Sequence, residues 1–110
     1  MNLEEKFNIL VNKMNFGHYD EVIFETNYLI KKFPKQEALY NLLALTYQAK
    51  GEYDKSIDLL NDALKRSKNN TNFINNIGLG YYRKKDYIKA ESYFNKVLEL
   101  NPRFINTINN

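Results

Sequence analysis

The sequence predicts an all-α fold of antiparallel helix pairs repeated three times, six helices followed by part of a seventh. Three observations point to it. Tyr19, Tyr53 and Tyr87 stand 34 residues apart, and the same interval lays Gly17 on Gly51 and Ala63-Leu64 on both Leu29-Ile30 and Val97-Leu98. Apolar residues recur between these markers at helical spacing, Leu43-Ala44 ahead of Tyr47 and Ile77-Gly78 ahead of Tyr81. Only two prolines and four glycines interrupt 110 residues, which suits helices joined by short turns.

The first unit spans about Leu3 to Gln36. Its opening helix carries Phe7, Leu10, Val11 and Met14 on one face. Measured back from Gly17, this stripe falls one residue later than Tyr40, Leu43, Ala44 and Tyr47 do from Gly51, so the first turn is expected to be one residue shorter. A second helix follows from Tyr19 or Asp20, with Asp20 and Glu21 set against its positive end and Val22, Ile23, Leu29, Ile30 and Phe33 on its apolar side. The second unit, 37–70, places Pro34 just ahead of a helix from Glu37 to Lys50, which Gly51 ends through a left-handed cap. Asp54 opens the next helix, which runs toward Ser67 with Ile57, Leu60, Ala63 and Leu64 inward. The third unit, 71–104, has Asn70 or Thr71 as cap and Ile74, Ile77, Gly78 and Tyr81 inward. Its turn at Lys84-Lys85-Asp86 lacks a glycine. Ala90, Tyr93, Phe94, Val97 and Leu98 form the last apolar face, and Asn101-Pro102 stops it. Gly78 and Gly80 each weaken their helix by ~1 kcal/mol relative to alanine; packing explains Gly78, whereas the sequence offers no packing reason for Gly80. The tail 105–110 reads as the start of a seventh helix through Ile105 and Ile108. All of this forms one domain, 1–110.

The period and these residues resemble the tetratricopeptide repeat family. The resemblance covers nearly the whole chain and implies an α-solenoid, a right-handed superhelix of helix pairs, that acts as a scaffold or adaptor for other proteins. It implies small residues where the two helices of a pair cross. Ala44, Ser56 and Ala63 meet this in the second unit, and Gly78 takes the place of Ala44 in the third. The first unit departs from the pattern with Leu10 or Val11 and Val22, bulk that should hold its helices apart. The resemblance also implies a concave groove lined by the opening helices, where an extended peptide or a partner's helix lies. Asn8 and Asn12, then Asn41, Leu45 and Gln48, then Asn72, Asn75, Leu79, Tyr82 and Arg83 are the expected lining. Asn8, Asn41 and Asn75 form one column there, and a carboxamide both donates and accepts, so such a row suits a peptide backbone. Asparagine makes up 17 of the 110 residues, so composition alone also produces matching columns. One well-known use of the family is a Lys, Arg and Asn clamp on the acidic carboxy-terminus of a chaperone. Asn72 and Asn76 occupy the places of its cations and Leu42 the place of its asparagine, so binding of an acidic tail is not expected.

Other functions find less support. The chain has no cysteine, hence no disulfide framework or thiol chemistry. It shows no histidine pair for a metal, no glycine-rich phosphate loop and no nucleophile triad, so no cofactor is expected, and the single His18 reads as a turn residue. An enzyme is therefore not expected. The net charge of +3 is too slight to argue for nucleic acid. Arg83-Lys84-Lys85 does lie near Tyr81, Tyr82 and Tyr87, but Tyr81 and Tyr87 fall on buried positions, leaving Tyr82 alone to stack. No leader pattern or membrane-length apolar run appears, which fits a soluble, cytoplasmic chain. The main rival to a groove-binding adaptor is self-association. The last helix face, with Tyr93, Val97, Leu100, Ile105 and Ile108, lacks the polar cap that ends a repeat array, so a second copy is an expected partner.

Overall fold

A computed structural model describes residues 1–103. Six helices follow one another: α1 (Leu3–Asn15), α2 (Tyr19–Lys32), α3 (Glu37–Ala49), α4 (Tyr53–Leu64), α5 (Thr71–Arg83) and α6 (Tyr87–Leu100), with no strand among the described residues. Each helix packs on its successor. The opening helices α1, α3 and α5 also touch one another in a row, whereas α2, α4 and α6 do not. The inner row is thus drawn together and the outer row splayed, which leaves the opening helices on the concave side. Ile105 and Ile108, and with them the partial seventh helix, lie outside the described residues.

The three turns within pairs are identical in length and bonding. Gly17, Gly51 and Lys85 hold φ of +86°, +89° and +73°. Their amides donate to Met14, Gln48 and Tyr82 at 3.0 Å each, and the next amides, of His18, Glu52 and Asp86, donate to Lys13, Tyr47 and Tyr81 at 2.8–2.9 Å. This double closure is the Schellman motif, in which a left-handed residue lets two orphan carbonyls of the helix end be satisfied. The expectation of a shorter first turn is therefore corrected. The helix starts repeat at 34 residues in all three units, and the out-of-phase stripe of α1 means that a different face of that helix is apolar.

With the register fixed, the crossing residues align as Leu10 with Val22, Ala44 with Ser56, and Gly78 with Ala90, all buried. Close backbone approach is most extensive between α5 and α6 and least between α1 and α2, as side-chain volume at the crossing dictates. A Cβ on Gly78 would lie 2.7 Å from Cε1 of Phe94 and 3.2 Å from Cβ of Tyr93. Gly80 proves to have a packing reason as well. Its missing Cβ leaves room for Ile57 Cγ1, 3.0 Å from where that Cβ would stand, and for Nε2 of Gln48, 3.2 Å away. The core divides into a cluster of Leu10, Val22, Leu29, Leu39 and Leu42 and another of Tyr40, Ala44, Ile57, Leu60, Ala63, Phe73 and Ile77, with Ile30 packed against both. Asn2, Asn70 and Asp86 cap α1, α5 and α6 by accepting from the amides of Glu5, Phe73 and Lys89. α4 stops at Leu64, short of the Ser67 toward which it was expected to run.

Gly51 has open space around its missing side chain, so Gly51→Ala tests conformation alone and is expected to cost roughly 1–2 kcal/mol. Lys85→Gly removes the same left-handed strain and is expected to stabilise by up to about 1 kcal/mol, part of the gain being offset by the freer unfolded chain. Urea unfolding of both variants checks this, and a Lys85→Gly protein less stable than its parent contradicts it.

Candidate functional site

The repeat of 34 sets the lining of the concave side. Along it run Phe7, Asn41 and Asn75 in one column and Val11, Leu45 and Leu79 in the next, all partly buried. Asn8 and Asn12 are exposed but stand one position round the helix. They align with Leu42 and Thr46 of α3 and with Asn76 and Gly80 of α5, on the face by which an opening helix meets the preceding pair. They therefore lie on the face of α1 equivalent to those joint faces and not in the column expected for them, because that column assumed a shortened first turn.

Gln48 is also not a lining residue. It is 1% exposed, and its Nε2 donates at 2.9 Å to both Ser56 Oγ and the backbone oxygen of Asn76. This amide ties α3 to α4 and to α5, and the small Ser56 and Gly80 make room for it. Its Oε1 has no partner. Asn41 accepts at 2.8 Å from Nδ2 of Asn76, so one acceptor of the expected row is committed to the joint between the second and third pairs. Asn72 and Arg83 are exposed at the two ends of α5. Tyr82 is 54% exposed and meets the Tyr87 ring edge-on at 5.4 Å between centroids. Tyr87, expected to be buried, is 56% exposed at the first position of α6.

The lining is consequently more apolar than the sequence reading suggests. Phe7, Val11 and Met14 pack against the first cluster with one side and leave the other open. At their edge a cleft of about 240 Å³ lies among Leu3, Glu4, Phe7, Gln36, Ala38 and Leu39. Another cleft, of about 290 Å³, includes Pro34, Glu37, Tyr40, Arg66 and Ser67. Its polar groups are bonded to one another: Tyr40 Oη donates to the Pro34 oxygen at 2.7 Å, Ser67 Oγ donates to Glu37 at 2.6 Å, and the Arg66 guanidinium sits over the Tyr40 ring at 5.2 Å. The Ser67 hydroxyl holds the Glu37 carboxyl below the usual carboxylate range.

The residues expected to support self-association separate as well. Val97 is 1% exposed and belongs to the packing of α6, so it offers no surface. Tyr93 stacks on Tyr81 at 5.5 Å, half-buried, and burial pushes its hydroxyl above its ordinary pKa. Leu100 remains 40% exposed. No helix among the described residues is long and apolar enough to cross a membrane, and no group of histidines, cysteines and carboxylates there is placed to hold a metal ion.

Helix pairs stacked in succession, with the opening helices in contact along one side, define an all-α solenoid. The family model of the tetratricopeptide repeat matches residues 35–103, and the chain belongs to that family. The match takes in the second and third pairs, and the first pair, ahead of it, has the same helix starts and turn. Such repeats generally mediate protein–protein interaction and are a non-catalytic fold. A comparison with curated protein sequences finds no match.

Replacing Gln48 by leucine strips Ser56 and the Asn76 carbonyl of their donor. The variant is expected to lose roughly 1–3 kcal/mol of stability in denaturant titration, more than Asn72→Ala, which touches no buried group.

Proposed function

We propose that the concave side of α1, α3 and α5 holds a segment of another protein, so that the chain works as an adaptor. The observation that supports this most is the run of half-open apolar side chains, Phe7, Val11, Met14, Leu45 and Leu79, continuing through the opening helices of all three pairs. Between them Asn75 and the free amide group of Asn41 supply hydrogen bonds to a backbone, with Asn72, Tyr82 and Arg83 at the rim. A segment presenting apolar side chains at helical or alternate spacing, with uncommitted polar groups between them, matches this lining.

Acidic tails match poorly. Arg83 is the one cation in the lining, and Asn72, Asn76 and Leu42 stand where a carboxylate clamp would need its donors. A peptide ending in Glu-Glu-Val-Asp should bind weakly or not at all in calorimetric titration, and low-micromolar affinity would count against this reading.

Selection of random twelve-residue peptides displayed on phage provides the positive test. Enriched sequences should carry two or more large apolar residues. Leu79→Glu should weaken the best of them about tenfold or more, since it sets a charge against an apolar side chain, while Asp62→Ala on α4 leaves affinity unchanged. Enrichment of acidic peptides, or indifference to Leu79→Glu, would overturn the assignment.

A further inference from the structure

A lysine–aspartate pair recurs at both joints between successive pairs, an amide bond adds to it at the second, and the residues that continue these positions to the outer ends of the array suggest what joins them. The residue closing α3, Lys50, reaches the second residue of α2, Asp20, at 2.7 Å. One period later Lys84, closing α5, reaches Asp54, the second residue of α4, at 2.5 Å. The hydrogen bond to each aspartate raises the lysine pKa. The corresponding residue closing α1 is Phe16, and the second residue of α6 is Ile88. They are 82% and 85% exposed, the most exposed large apolar side chains among the described residues. Helix ends alone would favour a cation and an acid at these places, as at the interior joints, so local stability does not explain the pair.

The second contact is the amide bond of Asn76 to Asn41, found at this joint alone, since Leu42 and Phe7 hold the same places one period earlier. Its counterparts at the free ends are Asn8 on α1, exposed, and Asn75 on α5, partly exposed. Adding one more joint of the interior kind therefore sets Phe16 against Ile88 and Asn8 against Asn75, an apolar contact and an amide pair.

We infer that the chain assembles head to tail with a second copy of itself, α1 of one copy seated on α5 and α6 of the next as α5 is seated on α3 and α4 within the chain. The free ends then complete each other where an ionic ladder within the chain gives way to an apolar rung between chains. Such a contact leaves one head and one tail open, so it propagates as a series of oligomers and does not stop at a symmetric dimer. It uses the ends of the array and shares only Asn75 with the lining proposed for the concave side.

Sedimentation velocity of the full chain without added peptide, over a wide concentration range, tests this. Growing oligomers are expected. Phe16→Lys and Ile88→Asp each reproduce the interior residue at an exposed site, so both variants should keep their helical circular dichroism. Each alone should raise the concentration needed for association about tenfold or more, by facing a charge with an apolar side chain. Mixing the two variants, or combining both changes in one chain, should restore it by rebuilding the lysine–aspartate rung. A chain that stays monomeric at all concentrations overturns the inference. So does association that the paired substitutions fail to restore, the behaviour of a symmetric dimer or of a face covered by residues 104–110.

Discussion

The left-handed residue in each turn is the constraint on which the rest of the structure depends. An α-helix must end where its last carbonyls find donors, and the Schellman closure does this in three residues only if one of them takes positive φ. Gly17 and Gly51 accept that conformation without a side-chain penalty, and Lys85 accepts it against its own Cβ. Because the three closures are alike, every second helix leaves its turn at the same phase relative to the opening helix. The crossing residues, the inter-pair joints and the concave columns then follow at intervals of 34.

Within this common register, side-chain volume grades the array. Leu10 against Val22 at the first crossing, Ala44 against Ser56 at the second and Gly78 against Ala90 at the third bring the helices of each pair progressively closer. The joints between pairs are graded in polarity. Leu39 and Leu42 seat α3 on the first pair by apolar contact with only the Lys50–Asp20 pair at its edge, whereas α5 meets the second pair through Phe73 and Ile77 together with the Gln48, Asn41 and Asn76 amides. Buried amide networks hold only one geometry, since any slip leaves a donor unpaired. The second joint is thus the more exacting of the two.

Much of the fold was legible because turn residues and crossing residues are chosen by sterics, which act on residue type. Tyr19, Tyr53 and Tyr87 mark the starts of α2, α4 and α6 as the spacing predicts, and the paired glycines mark two of the turns. The apolar stripe of α1 misleads as to its phase, because Leu10 alone is fully buried while Phe7, Val11 and Met14 are only partly so. Gly17 and Gly51 already fixed the phase, and with it the lining role of Phe7, Val11 and Met14. Gln48 was less accessible to reading. An amide on a helix looks the same whether it awaits a ligand or bridges three helices, and only the neighbouring Ser56 and Gly80 show which. Lys85 carries no mark of its left-handed backbone, and Tyr87 shares its register with Tyr53 yet lies open, since no further pair among the described residues covers it.

The wide first crossing has a mechanical consequence. In an array whose pairs touch only their neighbours, each pair opens against its own crossing and one joint, so resistance to opening varies along the chain. The first pair has the bulky Leu10 and Val22 at its crossing and the least close backbone approach, while the third is clasped through Gly78. The concave side therefore has a compliant wall, carrying Phe7, Val11 and Met14, and a stiff one, carrying Leu79 and Tyr82. The segment proposed to lie between them would be gripped at one end and accommodated at the other, as in a vice with one sprung jaw.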